Sequence, residues 1–229
     1  MRLSVKQVQQ VQLRLNMLGY GPLTLDGVFG PKTNKEIYSF EQDALPVFHK
    51  DIKEETWDSL FKEVPWMGEA LKIYGLDENI DKEQLSAWLM SDKEYLGDPS
   101  ENPWCGDFVS TALNKAEVKT PQPEKPFLAA SWAKWGYPCE PRYGAVMSLW
   151  RESLSSWKGH VGFYVGEDDH YYHLLGGNQH DSVSIASFTK DRLRNEGSRW
   201  PTEDHMKNKI DPSLFAFLDT DSPLSTDES

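Results

Sequence analysis

The chain holds only two cysteines, Cys105 and Cys139, in 229 residues. That excludes a disulfide framework and suits synthesis in a reducing cytosol, where joint oxidation would silence whichever thiol is reactive. Basic charge is also scarce. Against 36 acidic residues stand 24 Lys and Arg, a formal charge of −12, which argues against a nucleic-acid partner and against capture by anionic membranes. No apolar run is long enough to span a bilayer, and the start "MRLSVKQVQQVQLRL" lacks the continuous apolar stretch of a signal peptide. The expectation is a protein made in the bacterial cytoplasm without an export signal or membrane insertion. A Gly/Ser- or Pro-rich spacer is missing too, so any two modules should be joined rigidly, and no internal repeat is visible.

Aromatic residues are plentiful. They make up 12% of the chain and include nine tryptophans, enough for a large core and for some contact with sugar. Residues 5–18 place Val8, Val11, Leu15 and Leu18 at helical spacing, and Gly19 follows as a C-cap. The next stretch, "YGPLTLDGVFGPKT", must turn more than once, and Asp26-Gly27 is a turn pair. Gly30-Pro31 leads into a helix carrying Ile37 and Phe40, and "IKEETWDSLF" reads as a third helix. Three short helices fit a module of about 60 residues, near the lower limit for a core of its own.

Together "VQQVQLRLNMLGY", "LDGVFGPKT" and "EIYSFEQ" resemble the peptidoglycan-binding domain found at one end of many cell-wall hydrolases. The resemblance implies a three-helix wall-binding module over residues 1–64, with Tyr20, Asp26, Gly27, Phe29, Gly30 and Thr33 in its binding loop and helix start. This chain has Phe40, Glu41, Gln42 where the family usually has Phe-Gln directly.

Residues 65–100 read as a helical connector, with one helix from Pro65 and another carrying Leu85, Trp88 and Leu89. The end, 219–229, is acidic with nothing to bury and reads as a loose tail. Between them, Asn102 and Pro103 suit the cap and first position of a helix whose first turn holds Cys105. Free N–H groups and the helix dipole favour a thiolate there, while Asp107 works modestly against it. "YGAVMSLW", "GHVGFYVGED" and "HYYHLLGGNQ" read as antiparallel strands, with His160 opening the second between Gly159 and Gly162. Asn178 or Gln179, after two glycines, is placed to orient the imidazole, as in a Cys-His-Asn triad.

"PWCGDFVSTAL", "SWAKWG", "YGAVMSLWR", "GHVGFYVGED" and "LLGGNQHDSVSI" resemble the CHAP and NlpC-type cysteine amidohydrolases and peptidases of bacterial and phage wall lysis. The resemblance implies an α+β, papain-like domain over residues 65–218, its helix carrying the cysteine packed on an antiparallel sheet. It implies Cys105 as nucleophile, His160 as general base and Asn178 as the orienting group, with Gln179 the competitor. Trp104 and Asp107 are further candidates for substrate contact. Many relatives have serine or alanine where Gly106 and Asp107 stand. Trp132, Trp135, Trp150 and Trp157 flank the site; each is a core candidate, and one or two suit stacking on sugar or peptide. His170, His173, His180 and Asp181 lack the spacing of a zinc peptidase, so no metal and no cofactor is expected.

The expectation is a monomeric peptidoglycan hydrolase that cleaves an amide of the stem, as an endopeptidase or as an N-acetylmuramoyl-L-alanine amidase; the sugar-to-stem amide and the stem-peptide amides need the same chemistry. It would be released to the periplasm and wall as a phage endolysin through a holin-permeabilised membrane. The alternatives are an effector delivered by a secretion system, a tail-associated lysin, or a wall-binding protein without activity.

Overall fold

The computed structural model describes residues 1–46, 52–91 and 97–203. The acidic tail and the end of the second module lie outside the described residues. Six α-helices precede the sheet: α1 (Val5–Met17), α2 (Pro31–Ala44), α3 (Glu54–Leu60), α4 (Pro65–Lys72), α5 (Lys82–Leu89) and α6 (Cys105–Lys115). Then come strands β1 (Tyr137–Pro138), β2 (Val146–Trp150), β3 (Gly159–Glu167), β4 (Tyr171–Gln179), β5 (Ser182–Thr189) and β6 (Leu193–Trp200). The fold class is α+β.

A reciprocal cap starts α1. The Ser4 N–H donates to the Gln7 side chain at 2.8 Å, and the Gln7 N–H donates to the Ser4 hydroxyl at 3.3 Å. Every residue from Gln7 to Leu15 is then buried, so α1 is enclosed all round, although much of its surface is polar. Each buried polar side chain therefore needs a partner. Gln7 donates to the Leu71 carbonyl, Gln9 to the Leu25 carbonyl, and Arg14 to the Leu60 carbonyl. Gln10 accepts from the Tyr143 hydroxyl at 2.9 Å. Pro31 sits at the start of α2, where its missing N–H costs nothing. That helix runs through Phe40 to Gln42 without a break and ends at Ala44.

Front helices and sheet share one hydrophobic core. At the junction the Arg14 guanidinium lies 5.6 Å from the Tyr143 ring centroid. The Trp66 indole N–H donates to the Gly144 carbonyl at 2.8 Å, and its ring meets Trp200 edge-on at 5.2 Å. Gly144, at φ +85°, is needed there: a Cβ would stand 2.9 Å from a Val64 methyl.

The sheet is antiparallel, in the order β1-β6-β2-β3-β4-β5. Three of its strands were legible beforehand as a meander; β6 then returns to pair with β2, which puts β2 and β3 in the middle. Both faces of those strands are buried. Helix α6 packs on β3 and β4, with Phe108 and Phe163 rings 6.0 Å apart. A short helical turn at 129–134 packs on β2, β3 and β6 and accepts the Ser148 hydroxyl on the Ala129 carbonyl at 2.7 Å.

Tyr143→Phe should lower stability by about 1–3 kcal/mol, because it leaves the Gln10 carbonyl buried beside an apolar ring. Urea unfolding checks this. With one shared core, front-helix and sheet probes should report the same transition midpoint.

Candidate functional site

Helix α6 starts two residues later than its sequence suggests. Trp104 occupies the cap position and Cys105 the first helical position. The reason is local: the Asn102 amide donates to the Asp98 carbonyl at 3.1 Å, closing the preceding turn instead of capping the helix. Cys105 remains in the first turn, where the backbone N–H groups have no partner within the helix. It is buried, with 7% of its surface exposed, and Asp107 in the same turn is buried as well. Gly106 is dictated by close approach. A Cβ there would stand 2.3 Å from the Pro126 carbonyl oxygen, which leaves no room for any side chain.

Trp104 is buried and anchored. Its indole N–H donates to a Glu78 carboxyl oxygen at 2.6 Å. Glu78 in turn donates its backbone N–H to the Asp181 carbonyl at 2.8 Å, in the turn between β4 and β5. Burial raises the Glu78 carboxyl above its ordinary range; the indole bond opposes the rise, and Asp181, Asp77 and Asp98 add to it. Sequence reading missed Glu78. Its only local signal is an acid in a short loop before α5, and nothing in the order of residues links it to Trp104.

His160 is 1% exposed, near the start of β3, and its ring stacks on Phe188 at 4.8 Å. Its Nε2 lies 2.9 Å from Oε1 of Gln179. This is the correction to the expected triad: the amide on the imidazole is that of Gln179, where Asn178 was expected. The cause is a bulge. Gly176 pairs with Ser184, and Gln179 pairs with Ser182, so β4 advances three residues where β5 advances two. Asn178 takes the left-handed backbone, at φ +55°. One extra residue shifts the alternation, and Gln179 inherits the face that Asn178 would occupy in a regular strand. Asn178 itself is buried, with 7% exposure.

The Gln179 amide has a defined orientation. Its NH2 donates to the Ser184 carbonyl at 2.7 Å and to the Ser184 hydroxyl at 3.2 Å. Its carbonyl oxygen therefore faces the imidazole, and a carbonyl can only accept. Nε2 must carry the ring hydrogen, which leaves Nδ1 as the basic nitrogen.

Gly176 and Gly177 stand between the two clusters. A Cβ on Gly176 would meet Nε2 of His160 at 3.0 Å, and one on Gly177 would stand 2.3 Å from the Trp104 ring. The histidine–glutamine pair thus abuts Gly176, and the residue at the start of α6 abuts Gly177, its neighbour.

The front loop is built around Gln12, a residue sequence reading passed over. Its amide donates to Asp26 at 2.8 Å, to the Val28 carbonyl at 3.2 Å and to the Thr33 hydroxyl at 3.1 Å, and its carbonyl accepts from the Gly27 N–H. Asp26, Gly27 and Thr33 therefore shape the loop. The Gln12 amide, with the Val28 N–H, holds the Asp26 carboxyl below its ordinary range. Gly27 requires glycine at φ +70°, where a Cβ would strike Val5; Gly30, at φ −89°, has open space. Tyr20 is partly exposed and donates to Asp43 at 2.9 Å, and Phe29 and Tyr38 face solvent.

The histidines of the rejected zinc pattern do not converge. His173 is buried on β4, its Nδ1 2.9 Å from the Ser187 hydroxyl and its Nε2 3.4 Å from Asp168. Among the described residues no three His, Cys, Asp or Glu side chains are grouped to hold a metal ion. Trp132 and Trp135 are core residues, Trp150 is half-buried, and Trp157 is exposed. Neither cysteine is in a disulfide, and burial pushes the Cys139 thiol up, beside the Ser198 hydroxyl.

Residues 4–45 match a family described as "Putative peptidoglycan binding domain". The chain therefore carries an N-terminal peptidoglycan-binding domain, which supports association with the cell wall and names peptidoglycan as a partner. No curated protein and no solved structure matched the chain.

Two measurements follow. In Gln179→Ala the ring nitrogens of His160 should lose the Nε2–H tautomer pattern in 15N spectra, whereas Asn178→Ala should keep it. Burial holds the His173 imidazole below its ordinary range, against the pull of Asp168 and Glu167, with Lys190 adding to the fall. Its stabilising contribution is complete above about pH 6.5, the unfolded value, and is lost as pH falls toward the folded value. His173→Gln should flatten the decline in urea midpoint between pH 7 and pH 5.

Proposed function

We propose that the chain is a cysteine hydrolase that cleaves an amide bond of peptidoglycan. Cys105 acts as nucleophile, His160 as base and Gln179 as the group that orients the base. The observation that carries the reading is the 2.9 Å approach of Gln179 Oε1 to Nε2 of His160. An imidazole whose Nε2–H is held by a locked amide has a basic Nδ1, near a helix start that bears a thiol. The reaction requires the Cys105 thiol to pass its proton to Nδ1 beside the Gly176–Gly177 dipeptide. The thiolate attacks the amide carbonyl, and the imidazolium returns the proton to the leaving amine. Water, deprotonated by the same imidazole, then releases the acyl group from sulfur. The Cys105 backbone N–H, at the helix start where no intrahelical acceptor lies, supplies one donor to the developing oxyanion. Trp104 and Glu78 position the helix start, and Asp107 lies in its first turn.

A papain-like arrangement, with a cysteine-bearing helix start on an antiparallel sheet, underlies this reading. The N-terminal domain concentrates the hydrolase on its polymer, so it matters most when enzyme is scarce. The biological setting that fits is wall lysis by an endolysin of CHAP/NlpC type, acting as a monomer without a cofactor once it is released to the periplasm.

Cys105→Ala should abolish release of peptide or amine from purified sacculi by a protein that still folds and still sediments with walls. Iodoacetamide should inactivate the wild type slowly, given the small exposure of the thiol, and a chelator should have no effect. Near-normal turnover by folded Cys105→Ala would overturn the mechanism.

A further inference from the structure

We propose that Trp157 is a sugar-stacking subsite, which takes the N-acetylated hexosamine next to the amide that Cys105 attacks. This rests on the reading of Cys105 and His160 as the reacting pair and deepens it.

Trp157 stands apart from the other tryptophans. Its side chain is 66% exposed, whereas Trp57, Trp66, Trp88, Trp104, Trp132, Trp135 and Trp200 are buried and Trp150 is half-buried. An exposed indole on a mobile loop would carry little meaning. This loop, residues 151–158, is held firmly from beneath. Arg194, 8% exposed, donates to the Leu154 carbonyl at 3.0 Å and to the Ser156 and Lys158 carbonyls at 2.9 Å each. The Arg151 N–H closes the loop onto the Lys158 carbonyl at 3.1 Å, and Lys158 donates to Glu152 at 2.7 Å. A buried cation committed to three carbonyls of a surface turn keeps the indole presented to solvent. Such preorganisation lowers the entropy lost when a ligand binds.

The register places the loop that carries Trp157 beside His160. Trp150 pairs with Gly159 and Leu149 with His160, so the loop closes the end of the sheet at which His160 and Gln179 lie. Trp157 precedes His160 by three residues, which is at most about 11 Å of chain.

The chemistry selects a sugar. An indole face is flat and apolar and matches the C–H face of a pyranose. Lys158 and Glu152 are paired with each other and Arg151 is the loop's remaining charge, so the indole is the uncharged contact surface that the loop presents. A sugar this close to the reacting pair means that the bond cleaved is the one joining the glycan to the first residue of the stem. Cross-link amides lie several residues from any sugar.

The test uses the Cys105→Ala protein and chitotetraose, followed through the indole N–H signals in 1H–15N spectra. The matched domain, residues 4–45, contains no tryptophan, and Trp57 of α3 is buried, so binding at the front loop is told apart from binding at Trp157. The Trp157 signal, assigned by its loss in Trp157→Phe, should shift in a saturable way while the buried indoles stay in place. In active protein, Trp157→Ala should raise KM about tenfold on disaccharide-peptide with little change in kcat. A Trp157 signal unmoved by chitotetraose, or one moved by glycan-free stem peptide instead, overturns the proposal. The titration needs no turnover, so it stands or falls separately from the assignment of Cys105 as nucleophile.

Discussion

One extra residue in β4 governs the arrangement of the site. Between Gly176 and Gln179 the strand gains a residue on its neighbour, and Asn178 absorbs the change in the left-handed region. Every side chain beyond that point changes face, and Gln179 reaches the imidazole of His160. The two glycines are part of the same device. Gly176 makes room for the imidazole and Gly177 for the Trp104 ring, so a side chain at either would push apart the elements that the bulge draws together. A strand without the bulge would carry Gln179 away from His160 and leave both without this bond.

Buried amides recur as organising groups because an amide donates and accepts at once. Gln12 gathers Asp26, Gly27, Val28 and Thr33 into the front loop. Gln10 ties α1 to Tyr143, and Gln179 links His160 to Ser184. Each sits where an unpaired polar atom would be costly, so each specifies one arrangement of its neighbours. The front helices are held to the sheet in this way as well as by the shared apolar core. The peptidoglycan-binding domain and the proposed hydrolytic site are thereby joined through one core, with no flexible linker evident between them in sequence.

Acidic groups shape the surroundings of the thiol. Asp107 lies in the first turn of α6, and Glu78 holds the indole just before it. The helix start favours negative charge, which helps a thiolate and lets a carboxylate sit in the same turn. Glu78 joins that turn to the β4–β5 hairpin through Asp181, so the cysteine-bearing and glutamine-bearing segments share one brace.

The α1 periodicity, the start of α4 at Pro65, the thiol in the first turn of α6 and the three central strands were legible in the order of residues. Each depends on local spacing, caps and alternation, which act over a few neighbours. The same holds for the turn at Asp26-Gly27, where glycine meets a positive φ. The return of β6 to β2, the bulge that exchanges Asn178 for Gln179, and the pairing of Trp104 with Glu78 were decided only in three dimensions. They join residues distant along the chain, or rest on a register set by the neighbouring strand. The tryptophans divide in the same manner. Composition showed that they were many, but tertiary packing alone buried Trp132 and Trp135 and left Trp157 in solvent, because burial is a property of what lies opposite a side chain and not of the side chain itself.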